Sequence, residues 1–405
     1  MSKALSGESE LKFLKSRLEN LNLLFAISIM AWVPRFPEVK ANLHLTNGEF
    51  GTVMSTGTLG ALLGLLTMGH VAHSVGNYKV FVGTSLIYIP GSFLLVIIHN
   101  VALFTIINIL NAALVSGFVI ALNSQTLHEQ ERFNTPVIPR AHGKWSLGAL
   151  VSITISGLLV GRVSIAIHIF VLSAACLAFM LLELKKLKPY CLKANEIPDE
   201  ATSIRKMFVG MRIDWAVSIG MVLGMMLEFS AGDWTTIFAK EDLKMSAGVA
   251  TIPYLIFMLM MIIGRLNIHK FTMKTPIEIL LRRMALFGGI GFLFFLNIGS
   301  HLSRTNPWLG FYLVCLAFVI AGLGGSVMSP MYMGAASYRS DKPSSMVVGQ
   351  TLLVTNSVVF FVKAAMSWVA QFASITAALS IPGIMLVATI FFTHTTRGSI
   401  RGDSA

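Results

Sequence analysis

Apolar runs of about 20 residues, separated by short polar intervals, recur from one end of the chain to the other. A transmembrane helix needs that length because each residue rises only about 1.5 Å and lipid offers the backbone no hydrogen-bond partner. Twelve runs qualify, near 18–37, 47–70, 79–99, 101–125, 141–161, 163–183, 213–238, 246–266, 280–300, 308–335, 345–370 and 374–393. The second opens on Thr46-Asn47-Gly48-Glu49, a capping-box pattern in which Thr46 and Glu49 satisfy donors left free at a helix N-terminus. The first exceeds a signal-peptide core and runs into Trp32, Pro34 and Arg35 without a small-residue cleavage site, so it reads as a retained helix.

The one long polar interval inside the chain, about 184–212, leaves six spans on each side. The pattern predicts an all-α membrane protein with twelve transmembrane helices in two six-helix pseudo-symmetric bundles. Its parts are a cytoplasmic N-terminal segment (1–17), two bundles (18–183 and 213–393), a cytoplasmic linker (184–212) and a cytoplasmic tail (394–405). The halves echo each other at an offset of 200 residues. Leu43-His44-Leu45-Thr46 stands against Leu243-Lys244-Met245-Ser246, Gly48 against Gly248, and Gly64 against Gly264. Two six-helix halves joined inside the cell are the plan of secondary transporters, which bind solute near the midplane between repeats that rock. A channel does not need this layout. No G-x-x-x-x-G-K-[ST] phosphate loop and no nucleotide-sized soluble domain occurs, which disfavours an ATP-driven pump.

Composition agrees: 55% of residues are hydrophobic and 12% charged, and mean hydropathy is +0.73. With the N-terminus inside, 24 of the 31 Lys and Arg fall in cytoplasmic segments, six fall in external loops and Lys363 falls within a span. Positive residues are retained on the cytoplasmic side, so both termini are expected inside a cell inner membrane. The same bias explains the net charge of +12 without a nucleic-acid partner, and Lys185-Lys186-Leu187-Lys188 is expected to meet anionic headgroups. The three Cys set no disulfide framework, no pair of His has metal-ligand spacing, and the 22 Met read as helix packing. No cofactor, metal or enzymatic activity is expected. The partners expected are a small-molecule solute, protons and the lipid bilayer, with the chain functional as a monomer.

Four runs carry a resemblance. They are Trp32-Val33-Pro34-Arg35-Phe36-Pro37 leaving helix 1, Asn123-Ser124-Gln125 ending helix 4, His142-Gly143-Lys144-Trp145-Ser146-Leu147-Gly148 opening helix 5, and Glu228-Phe229-Ser230-Ala231-Gly232-Asp233-Trp234 in helix 7. In order and spacing the chain resembles the major facilitator superfamily, in particular its bacterial rhizopine-permease-like branch and more distantly the fucose permeases. The superfamily's loop between helices 2 and 3 reads G-x-x-x-D-[RK]-x-G-[RK]-[RK]. Here Gly69 and Gly76 keep their places, while His73 stands at the acid and Ser74 at a base, which puts an acid-base latch in doubt. Phe229 stands where the branch commonly has Gly. Helix 5 has Gly157 and Gly161 but lacks the Gly-Pro of drug antiporters, which favours uptake over efflux. The fucose permeases' coupling acids in helices 1 and 4 have no counterpart here.

Ionisable groups in hydrocarbon usually face a water-filled cavity or a partner, which directs attention to Arg35, Glu49, Glu228, Asp233 and Lys363. Glu228, mid-span in helix 7, is the candidate proton-coupling or substrate-binding group, a poorly solvated carboxyl expected to exchange protons near neutral pH; alternatively it only hydrogen-bonds a neighbouring helix. Asp233 and Trp234 near the outer end of helix 7, with Trp32 and Arg35 near that of helix 1, suggest an external gate closed by an Arg35–Asp233 pair; headgroup anchoring and an aromatic belt are the alternative. Asn356 and Lys363 share a face of helix 11, with Gln350 beginning that span; Lys363 either faces the cavity or snorkels. Asn108 and Asn111 on helix 4 either bind substrate or join helices. Asn123, Gln125, His142 and Gly76 form the candidate cytoplasmic gate, or simply hold the helix 4 to helix 5 turn. The reading favoured is proton-coupled uptake of a small sugar-like or polyol-like solute. Drug or metabolite efflux by antiport and a non-transporting membrane sensor are the alternatives.

Overall fold

The computed structural model describes residues 7–135, 137–196, 213–272, 275–340 and 344–398. Most of the expected linker, including Pro198, Asp199 and Arg212, and the end of the tail lie outside these residues. The described chain is helical without a strand. In chain order the long helices are α1 (Gly7–Met30), α2 (Asn47–Val75), α3 (Asn77–Ile97), α4 (Val101–Arg132), α5 (Ile138–Leu159), α6 (Ile165–Leu187), α7 (Trp215–Glu241), α8 (Ile252–Thr272), α9 (Ile277–Leu302), α10 (Pro307–Gly325), α11 (Ser344–Phe372) and α12 (Ile375–Ala388). Among the described residues nine spans are long and apolar enough to cross a membrane. The other three expected spans form α1, α5 and the shorter α12.

Polar residues at the boundaries set the helix starts. Asn100, Ser164, Asp214, Asn306 and Ser374 each accept a hydrogen bond from the backbone N–H three residues on, satisfying a donor that lipid cannot. The capping box at α2 forms: the Thr46 N–H donates to Glu49 Oε2 at 2.9 Å and the Glu49 N–H to Thr46 Oγ1 at 3.4 Å. One boundary differs from expectation. The first span ends at Met30 rather than 37, and the chain continues through a 3-10 turn (Val33–Arg35) into a short helix (Phe36–Asn42). Pro34 accounts for the break, since its nitrogen has no N–H to donate to the helix ladder, and Pro37 stands in the first turn of the short helix, where no such donor is needed. A break at Ser326–Val327 likewise divides α10 from a helix over Met328–Tyr338, directly after Gly324-Gly325.

The described chain forms two compact units. The described residues within 1–32, 59–156 and 163–208 make one, and those within 33–58, 157–162 and 209–405 make the other. In the first, Phe25, Phe81, Tyr88 and Phe118 meet ring to ring at the centre of a core that runs from Leu14 to Leu192. In the second, α9 and α10 approach closely at Gly288, Gly299, Gly310 and Gly324, where any Cβ would strike the other backbone. Small residues drive this contact because dispersion, with no hydrophobic term, holds helices together in lipid.

The 200-residue echo has a geometric counterpart. His44 and Lys244 both take left-handed backbone, with φ of 54° and 57°. Phe50 and Ala250 then donate backbone bonds of 2.9 Å to Thr46 and Ser246. Gly64 receives Ser116 of α4 where Gly264 receives Ser326 at the end of α10. The same turn and the same small-residue notch thus recur in both halves.

Candidate functional site

Helix α7 brings two carboxylates into the second unit, and each meets a base from another helix. Glu228, at the middle of α7, accepts from Arg265 Nη2 of α8 at 2.8 Å, the two side chains being 30% and 34% accessible. Arg265 also reaches the Ser326 carbonyl at the α10 break. Five residues on, Asp233 lies 2.6 Å from Lys363 of α11, at 19% and 14% accessibility. Gly232, between the two acids, places the backbone of α7 near the hydroxyl of Tyr254.

Two expectations need correction here. Glu228 does not stand without a charged partner, because the Arg265 guanidinium of the neighbouring α8 accompanies it. The expected Arg35–Asp233 gate pair is also replaced. Fully buried Arg35 donates to Glu38 at 2.9 Å, three residues along its own turn, while Lys363 takes Asp233. Arg265, Lys40 and Glu241 escaped sequence reasoning. Arg265 stood one residue from the end of its predicted span, where a base normally marks the interface.

Beyond Asp233 the unit is packed toward the end that the charge bias predicts to be external. Buried Trp234 and Ser367 fill the notch left by Gly51 of α2, and Trp368 fills that left by Gly48. Lys40 then bridges to Glu241 at the end of α7, at 2.6 Å, and also binds Asn47. A small void between these layers is lined by Phe50, Gly51, Met54, Asp233, Trp234 and Lys363. Trp32 is half-buried in the turn after α1. Because any Cβ at Gly51 meets Ser367 and the Trp234 ring, Gly51→Val is expected to pry this layer apart. A cysteine placed at Ser367 should then react several-fold faster with a membrane-impermeant maleimide than it does beside Gly51.

Asp242 follows α7, and burial pushes its carboxyl above the ordinary aspartate value. The negative charge of Glu241 adds to the shift, opposed by hydrogen bonds from Thr376 and by Lys244. A carboxyl raised in the folded state stabilises the fold while protonated and loses that contribution as pH rises through its folded pKa. Asp242→Asn is therefore expected to flatten the fall in melting temperature as pH rises from about 4, measured against wild type.

The remaining candidates divide. Asn356 donates to the Leu352 carbonyl of its own helix, so it does not extend Lys363 into a bonded stripe. Gln350 is buried. In the first unit, Asn108 is buried and Asn111 donates to Ser92 at 3.1 Å, joining α4 to α3. Gln125 is a buried hub: its amide donates to Glu129 and to the Tyr190 carbonyl, and its oxygen accepts from the Leu192 N–H at 2.9 Å and from Asn77. Gly76, at a φ of 85°, lies against Leu192 and Ala194, and Asn77 and Asn195 exchange backbone bonds with Leu192 and His73 across this turn. The segment after α6 thus pins the loop that lacks an acid-base latch. Cys191 within it is packed, and burial pushes its thiol up to about 12. Asn123 and His142 are exposed and stand outside the hub. Gln125→Met should strand the Leu192 N–H and Tyr190 carbonyl at a cost of about 1–3 kcal/mol for each buried group, read as a lowered melting temperature.

The family model of the Major Facilitator Superfamily matches residues 21–362. The chain belongs to that superfamily. It is a transporter and not an enzyme. An MFS-type transporter of Yersinia pestis is 21% identical over 363 residues, 89% of this chain and 90% of its own. Membrane protein MosC of Rhizobium meliloti is 22% identical over 59% of this chain and 57% of its own. Among solved structures, a D-xylose-proton symporter matches with a TM-score of 0.69 and 14% identity over 98% of this chain and 99% of its own. The nucleoside transporter NupG matches with a TM-score of 0.68 and 13% identity over 95% and 98%. These likenesses show that this superfamily member shares the major facilitator fold, the twelve-helix architecture that the apolar pattern predicts.

Proposed function

We propose that this superfamily member is a proton-coupled uptake carrier for a small, neutral, polyol-like or sugar-like solute, working by alternating exposure of its two six-helix halves. The observation that carries this reading is the pair of α7 carboxylates, each held by a base on a different helix. Glu228 and Arg265 meet directly across two helices, so the charge on the carboxylate bears on what the guanidinium can bind. Protonation weakens the ion pair and frees guanidinium donors for solute hydroxyls. Deprotonation restores the pair and expels the solute. Asp233–Lys363 and the glycine-tryptophan layer beyond it act as the external gate, and Gln125 with the Gly76 turn steadies the cytoplasmic side.

The carriers of similar fold whose names specify cargo move xylose or nucleosides, both small and hydroxylated, which fits this choice of solute. The lysine and arginine distribution supports a cell inner membrane with both termini cytoplasmic, and all groups invoked lie on one chain, as a functional monomer requires. Purified protein in proteoliposomes tests the reading. An inward proton gradient should concentrate at least one solute from a broad sugar and polyol panel, and failure across the panel would reject symport.

A further inference from the structure

We infer that the second unit holds an additional binding site for a small neutral polyhydroxylated ring, in the cavity between the starts of α7 and α11 and the helix Met328–Tyr338. The cavity has a volume of about 600 Å³, and its lining includes Asp214, Trp215, Ser218, Arg339, Gln350 and Thr351. That volume suits a sugar-sized ligand. It lies at the opposite end of α7 from Asp233, and neither α7 ion pair contributes to its lining.

Each of the three walls steps inward to buried polar chemistry. Tyr332 stands one turn before the lining residue Ala336, and Thr355 one turn after the lining residue Thr351. Both are buried, and among the described residues neither hydroxyl has a hydrogen-bond partner. The third wall packs against one of them: at Gly220, three residues after the lining residue Val217, any Cβ would meet the Tyr332 phenol, so that ring fills the notch in α7. Buried hydroxyls without partners are costly and uncommon in folded chains; these two lie one turn beneath the lining, and a ligand or water reaches them where the lining side chains part.

The lining decides the ligand class. Asp214 caps α7 through the Val217 N–H and holds Arg339 at 2.6 Å, so the fixed charges at the rim cancel and an anion gains little. Trp215, 60% exposed at the rim, offers an apolar face for the C–H side of a ring, while Gln350, Ser218 and Thr351 offer amide and hydroxyl groups. A cyclitol or pyranose matches this combination.

Tryptophan emission of the full chain, titrated with myo-inositol, D-glucose and D-xylose, tests the site. At least one ring should give a saturable change that is absent in Trp215→Phe. Tyr332→Phe combined with Thr355→Val removes only the two hydroxyls and should weaken the binding on the order of tenfold. Should that variant fail to fold, Ser218→Ala must weaken the same titration several-fold. Flat emission up to about 100 mM, beyond the millimolar range of weak binding, overturns the inference. So does unchanged affinity in the hydroxyl variants, which would leave water as the occupant. The titration needs no proton gradient, so its outcome and that of the coupling experiment are separate.

Discussion

Lys363→Met is expected to cost more stability than any single substitution at the more accessible Glu228–Arg265 pair. It leaves the Asp233 carboxylate without its base in a place only 19% accessible. Stranding one partner of a fully buried pair costs about 3–5 kcal/mol, and the residual accessibility brings the expectation here to about 2–3 kcal/mol. The companion Asp233→Leu with Lys363→Met removes both charges and should recover most of the lost stability, because replacing a whole pair by apolar groups is often neutral. Thermal unfolding of the three variants in one detergent gives the comparison. Equal destabilisation by the single and the double variant would mean that Asp233 and Lys363 do not act as a pair.

Glu228→Gln carries the second large effect. Glutamine keeps the size and an acceptor for Arg265 but cannot titrate, so the exchange of proton for guanidinium is removed while the helices stay packed. Counterflow of solute between equal concentrations should survive. Uphill accumulation driven by a proton gradient should fall to the equilibrium ratio. Glu228→Ala should harm both, since it also strands Arg265. Full uphill transport by Glu228→Gln would pass the coupling role to Asp233 and reduce Glu228 to a structural hydrogen bond.

Local chemistry was legible where its cause lies within a few residues. The Thr46 and Glu49 capping box could be read directly because both partners sit in one turn. The 200-residue echo was readable as residue types, and it reappears as matching left-handed turns at His44 and Lys244. Glu228, Asp233 and Lys363 stood out because charge in hydrocarbon is rare. Their partners did not. Asp233 and Lys363 are 130 residues apart, and matching depth on helices 1 and 7 pointed to Arg35 as the partner of Asp233 instead. The break at Pro34 decided otherwise, ending α1 at Met30 and turning Arg35 toward Glu38. Arg265 was hidden by its position at a predicted span end, although α8 continues to Thr272 and carries it inward. The strap that pins Gly76 through Gln125 was also beyond sequence pattern, because backbone atoms of Leu192 and Tyr190 make its bonds and have no side-chain signature.

The most direct test of proton-coupled uptake is the internal pH of proteoliposomes holding a trapped pH dye, followed as a transported sugar or polyol is added outside with no imposed proton gradient. Solute running inward should carry protons with it and acidify the lumen, and Glu228→Gln should abolish the acidification while leaving solute entry intact. Solute entry with no pH change, or with alkalinisation, would contradict the account.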